Sequence, residues 1–115
     1  MTRMIEINKG NKEIKLDDKT HQFDHRIEDG YVIDDLIIIL LSPDDHKVRF
    51  GQFQNLLALN FDGNILWHAE LSTNRPGDCY REIYSITPLQ ALSFCSFHCH
   101  IDIKTGKITK KIFYK

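Results

Sequence analysis

Six consecutive aliphatic residues, Leu36 to Leu41, constrain the fold more than any other part of the chain. A strand at a sheet surface alternates apolar and polar residues, whereas a run that is apolar at every position needs cover on both faces. The run is far too short to cross a bilayer, and no window of helical length carries an apolar stripe. It therefore predicts a central strand buried on both sides. Asp34 and Asp35, just before it, supply a turn and leave two strands of matching length, Ile27 to Ile33 and Leu36 to Ser42.

Strand signals continue on either side, as β-branched and aromatic residues broken by glycine, asparagine and aspartate, with proline only at positions 43, 76 and 88. The segment from Asn55 to Glu70 predicts a hairpin that turns at Asp62-Gly63, with Ile65, Trp67 and Ala69 returning on one face. A second hairpin enters through Ile101, turns over Asp102 to Gly106 and returns from Ile108, with Asp102 accepting backbone N–H groups and Gly106 in the left-handed position. Gly63 and Gly106 stand 43 positions apart, within the period of propeller blades, and Asn8 to Asn11 is a third, weaker instance. Glu82 to Ile86 and Ala91 to Phe97 read as strands around a turn at Thr87 to Gln90. The expected fold is all-β: about nine or ten strands in antiparallel meander sheets of propeller-blade type. The chain is too short to close a propeller, which needs about four blades or more.

At 115 residues, residues 1–115 form one β domain, and 42% hydrophobic with 27% charged residues is the balance of a soluble globular protein. The start of the chain has no apolar stretch of signal-peptide length, so a cytosolic location is expected. Cys79, Cys95 and Cys99 are an odd number and read as thiols. The net charge of −1 conceals an asymmetry. Nine acids and two bases lie between Asp17 and Asp45, while the last thirteen residues carry five lysines and no acid. The lysines read as a protected edge strand rather than a nucleic-acid site, and the acids as a surface that steers a basic protein partner.

His98 and His100 lie two apart on a strand, a spacing that suits a metal, but a site needs three or four ligands and no compact second pair exists. Cys95 and Cys99, four apart on a continuous strand, would be about 13 Å from each other. No metal and no cofactor are expected. The chain has no Gly-x-Ser-x-Gly elbow, P-loop or dinucleotide fingerprint, and an enzyme is not expected. Trp67 reads as core.

The stretches from Leu57 to Trp67 and from Ile101 to Ile108 resemble the hairpins of quinoprotein-type propeller blades, in which an aspartate, a glycine turn and a following tryptophan recur. With its N-terminal hairpin, acidic aliphatic segment and lysine-rich end, the whole chain is similar to small propeller-like bacterial immunity proteins. Some of these neutralise toxin domains, ribonucleases included, of contact-dependent growth inhibition systems. This chain has Asn60 in place of the aspartate, Ser96-Phe97 where a glycine turn is expected, and Lys110 in place of a second tryptophan. The resemblance implies a cytosolic immunity protein that binds a cognate toxin domain, one monomer to one toxin, and blocks its active site without catalysis. No nucleic acid or membrane is a direct partner. The loops Pro43 to Gln54 and Ser72 to Tyr80 and the Ser96-Phe97 turn are expected at one end of the sheets, presenting Asp44, Asp45, His46, Arg49, Phe50, Arg75, Asp78 and Tyr80 to the partner. Two alternatives stand beside it. A small carbohydrate- or ligand-binding module would stack its ligand on Tyr80, Tyr84 and Trp67, and self-association into a closed propeller would give a dimer or larger.

Overall fold

The computed structural model describes residues 4–43 and 51–114. Within them the chain forms eleven strands in three antiparallel sheets and no helix. The N-terminal sheet holds β1 (Ile5–Ile7), β2 (Glu13–Leu16) and β3 (Lys19–Gln22). The middle sheet holds β4 (Ile27–Ile33), β5 (Leu36–Leu41), β6 (Leu56–Leu59) and β7 (Ile65–His68). The C-terminal sheet holds β8 (Tyr80–Ile86), β9 (Leu89–Ser93), β10 (Phe97–Ile101) and β11 (Ile108–Phe113). Each is a meander in chain order, and the three stack like consecutive blades without closing into a barrel or propeller.

The middle sheet is covered on both faces, as its aliphatic run requires. Ile37 and Ile39 point towards the N-terminal sheet and pack with Ile14, Leu16, Leu57 and Leu59. Ile38 and Leu40 point the other way, against Tyr80, Leu89, Ala91 and Cys99 of the C-terminal sheet. Residues Ile37 to Leu40 are fully buried. At about 25 cal/mol per Å2 of apolar surface, each such side chain contributes roughly 1.5–3 kcal/mol, so the sandwich of three layers is the main source of stability.

Two sequence expectations change in detail. The run from Ala91 to Phe97 is two strands: β9 ends at Ser93, residues 94–96 turn the chain, and β10 begins at Phe97. Ser96 holds φ +71°, a left-handed conformation that glycine adopts at lower cost. Ile65 does not share the buried face of Trp67 and Ala69. The β6–β7 pairing shifts between Ala58 and Leu59, which leaves Ile65 43% exposed.

The two matched hairpin turns use the same chemistry. Asn60 Oδ1 accepts the N–H groups of Asp62 and Asn64, each at 3.0 Å, and Asp102 Oδ1 accepts that of Lys104 at 2.9 Å. Asn60 thus does the capping that aspartate does in the other turn. Gly63 and Gly106 follow at φ +88° and +77°. Each turn also packs on the sheet before it. A Cβ at Gly63 would lie 3.3 Å from Leu16, and one at Gly106 would lie 2.6 Å from Trp67 Cε3. Trp67 lies across that glycine and donates its indole N–H to the carbonyl of Ile103 at 2.9 Å. Glu70 adds two links, its N–H to Gly106 O at 2.8 Å and its carboxylate to the N–H of Ile108 at 2.9 Å. The third glycine turn, at Gly10, joins β1 to β2 and has no neighbour where a Cβ would stand.

These contacts fix which edges lie together. β4 packs beside β1 and β8 on one flank of the stack. On the other flank, β7 meets the β10–β11 turn through Trp67, and His21 of β3 approaches Gly63.

Gly106→Ala adds a Cβ both to a left-handed residue and inside the Trp67 ring contact, whereas Gly10→Ala meets the backbone penalty alone. Urea unfolding should give a loss of about 2–4 kcal/mol for the first and about 1 kcal/mol for the second. Equal losses would show that the Trp67 contact does not join these sheets.

Candidate functional site

The described parts of the three expected loops do converge at one end. Gly77 N–H donates to Gly51 O at 2.8 Å, Phe53 N–H to Asp78 O at 3.0 Å, and Phe94 N–H to Cys79 O at 2.8 Å. The Gln52 side-chain amide reaches Thr73 O at 2.7 Å. Of the residues expected to face a partner there, Asp44, Asp45, His46, Arg49 and Phe50 lie outside the described residues. Arg75 is exposed, but Asp78 and Tyr80 are fully buried and hold the loop from behind instead of facing outward.

Asp78 Oδ2 accepts the hydroxyl of Ser72 at 2.9 Å and both the N–H and the hydroxyl of Thr73 at 2.8 Å. Its other oxygen is buried without a partner. Ser72 also meets the Ser93 hydroxyl at 2.8 Å, which ties the loop to β9. Tyr80 is gripped by Asn55, itself fully buried. The Asn55 side chain takes the N–H of Tyr80 at 2.8 Å and gives its own N–H groups to Tyr80 O at 2.7 Å and Leu41 O at 2.9 Å. It acts as a short rung between the middle and C-terminal sheets. Asn55 and Ser72 were not singled out from sequence, because nothing distinguishes a buried polar residue beside a strand from an exposed one.

Burial, with the Asp78 charge beside it, pushes the Cys79 thiol up to about 11. Burial also raises Cys99, and Tyr80 is raised by burial first and then by Cys99. Burial of Tyr80 and Trp67 removes the aromatic surface that a carbohydrate module would need. Tyr84 alone of the three is exposed, at 61%.

A second surface emerges only from the stacking. On the β1, β4 and β8 flank, the strands carry Glu6, Glu28, Asp29 and Glu82 against Arg81, and the β4–β5 turn adds exposed Asp34 and Asp35. Lys9 pairs with Asp29 at 3.1 Å, and Tyr31 donates its hydroxyl to the same carboxylate at 3.0 Å. Tyr31 and Val32 are 37% and 46% exposed, an apolar pair set among acids. The strands of the opposite flank, β3, β7 and β11, carry Lys19, Lys110 and Lys111, with the Glu70 carboxylate set against Ile108 of β11. The charge asymmetry along the sequence thus becomes a polarity across the stack.

His98 and His100 do share a face, with rings stacked at 5.4 Å between centroids. His98 Nε2 lies 2.7 Å from the Gln90 side-chain oxygen, and its ring meets Tyr84. Cys95 sits in the turn near Thr73, off the strand that bears Cys99. Among the described residues, no three of histidine, cysteine, aspartate and glutamate come together around one point.

Residues 4–113 match the family described as a domain of unknown function, DUF7957, and the chain belongs to it. Comparison with curated proteins and with solved structures gives no match.

Asn55→Ala leaves the N–H and C=O of Tyr80 buried without their partner, so it should cost about 2–4 kcal/mol in urea unfolding. A loss below about 1 kcal/mol would mean that the sheets do not depend on this rung. The thiols give a separate check. A folded-state thiol raised to about 11 stays protonated where an unfolded one ionises, so its stabilising contribution is full below about pH 8.5 and declines as pH rises towards 11. At pH 8, Cys79 and Cys99 should react with a thiol reagent only through unfolding. Labelling of Cys79 at the rate of a free thiol would contradict its burial.

Proposed function

We propose that this protein is a cytosolic immunity protein: it binds a cognate toxin domain, a nuclease or ribonuclease, and blocks its active site without doing chemistry of its own. One observation carries the reading, the acidic flank built from three edge strands with Tyr31 and Val32 exposed among its carboxylates. A domain that cleaves RNA holds a polyanion in a basic cleft. An acidic surface fills such a cleft by charge, while an aromatic and an aliphatic anchor supply the desolvated centre that most of the affinity rests on. The carboxylates speed the encounter and the anchors slow the release. Exposed Arg75 at the loop end extends the surface that the family resemblance implies.

Co-expression with the neighbouring toxin gene is the direct test: growth is restored and a one-to-one complex is recovered. Asp34→Asn with Asp35→Asn should lower the association rate about threefold to tenfold and flatten its salt dependence, with little change in release. Tyr31→Ala should raise the dissociation rate at least tenfold. Persistent growth arrest beside soluble protein, with no complex formed, would end the immunity reading.

A further inference from the structure

β10 is an inner strand of the C-terminal sheet, with β9 on one side and β11 on the other. Cys99 and Ile101 point into the core, so His98 and His100 stand on the outer side, half-buried and on a backbone held from both sides. Register sets Leu92 and Ile112 on either side of His98, and Gln90 and Lys110 on either side of His100. Gln90 also reaches diagonally to the other imidazole: its side-chain oxygen lies 2.7 Å from His98 Nε2. An amide oxygen only accepts, so Nε2 carries the proton and Nδ1 keeps its lone pair. A hydrogen-bond acceptor on the far nitrogen is what orients a metal-ligating histidine and raises its basicity. The Tyr84 ring packs on the same imidazole, with centroids 4.7 Å apart.

We propose that His98 and His100 chelate one borderline divalent transition ion of the zinc and nickel class, with water completing its coordination. Imidazole suits these ions, and the spacing of the rings fits one. A metal–nitrogen bond of about 2.0–2.1 Å puts the ion about 3.2 Å from each ring centroid, and two such arms at a tetrahedral angle set the centroids about 5.2 Å apart. Here they are 5.4 Å apart. The ring planes lie 18° from parallel, so His100 has to turn about its Cβ–Cγ bond to aim a nitrogen at the ion that His98 faces. That torsion is broad for histidine, and the backbone need not move. Lys110, opposite His100, opposes a cation, while Glu82, beyond Leu92 in the row of His98, favours one. Two protein ligands are fewer than a structural or catalytic ion has, so this site exchanges its ion with the solvent and does not hold the fold together. It uses neither the acidic flank nor the loop end, and it does not rest on the toxin-binding reading.

Calorimetric titration of the full chain at about 100 µM with Zn2+ and, separately, with Ni2+ tests the site. One ion should bind per chain, and excess Mg2+ should not displace it, since Mg2+ takes oxygen ligands. His98→Gln and His100→Gln should each weaken binding at least tenfold, with the thermal midpoint of the metal-free protein nearly unchanged because both rings lie on the outer side. Gln90→Leu keeps both ligands and removes only the acceptor on His98, and it should weaken binding about tenfold. Affinity should fall as pH drops from about 7.5 to about 5.5, where the imidazoles take up protons. No binding at that concentration, binding that survives the loss of either histidine, or displacement by Mg2+ would each overturn the proposal.

Discussion

Everything in this molecule follows from a sheet that has no solvent face. Once Leu36 to Leu41 forms a strand, the middle sheet needs a layer on each side, and the chain supplies them in order, one before and one after. The consequences are geometric. Three meanders stacked in sequence place their first edges on one flank and their last edges on the other, and the turns and loops fall at the two ends. The contact of Trp67 with Gly106 and the rung made by Asn55 then lock the layers. Both are polar or close-packed contacts, whose geometry is specific where apolar layers alone would slide.

The charge polarity is a product of that order. Acids in β1 and β4 and lysines in β11 are far apart in sequence, and neither group defines a surface by itself. Stacking brings the first edges together and so gathers carboxylates on one side and ammonium groups on the other. Edge strands with charged side chains also resist pairing with their own kind, which guards the open edges on both flanks. The same charges then favour a partner of opposite sign.

How much of this was legible in the sequence depends on how local the cause is. Turn chemistry is local, so Asn60, Gly63, Asp102, Gly106 and the Asp34-Asp35 turn read correctly, and so did the doubly buried strand. Ile65 misread because a register shift in its pairing, set by the partner strand, turned it outward. The strand expected from Ala91 to Phe97 stops at Ser93, beside the turn expected at Ser96-Phe97, because Ser96 takes a left-handed conformation that glycine adopts at lower cost. Asp78 and Tyr80 looked like interface residues because an acid and an aromatic in a loop usually face water. Here Ser72 and Thr73 of the same loop satisfy one oxygen of Asp78, and Asn55 from a separate segment satisfies the backbone of Tyr80. No spacing in the sequence announces such partners.

On the proposed function, that buried polar cluster bears on binding as well as on stability. A loop that orders only when its partner arrives loses conformational freedom at that moment, and the loss subtracts from affinity. Asp78 holds Ser72 and Thr73 in place beforehand, and Gln52 and Phe53 join the neighbouring segment to the same loop. Tyr31 is likewise held by its hydroxyl on Asp29, a carboxylate that Lys9 also pins. The exposed ring is therefore presented in one orientation, and a partner that meets it has little left to order. Under the proposed function this arrangement matters most, because an inhibitor that acts by adhesion depends on how slowly it lets go.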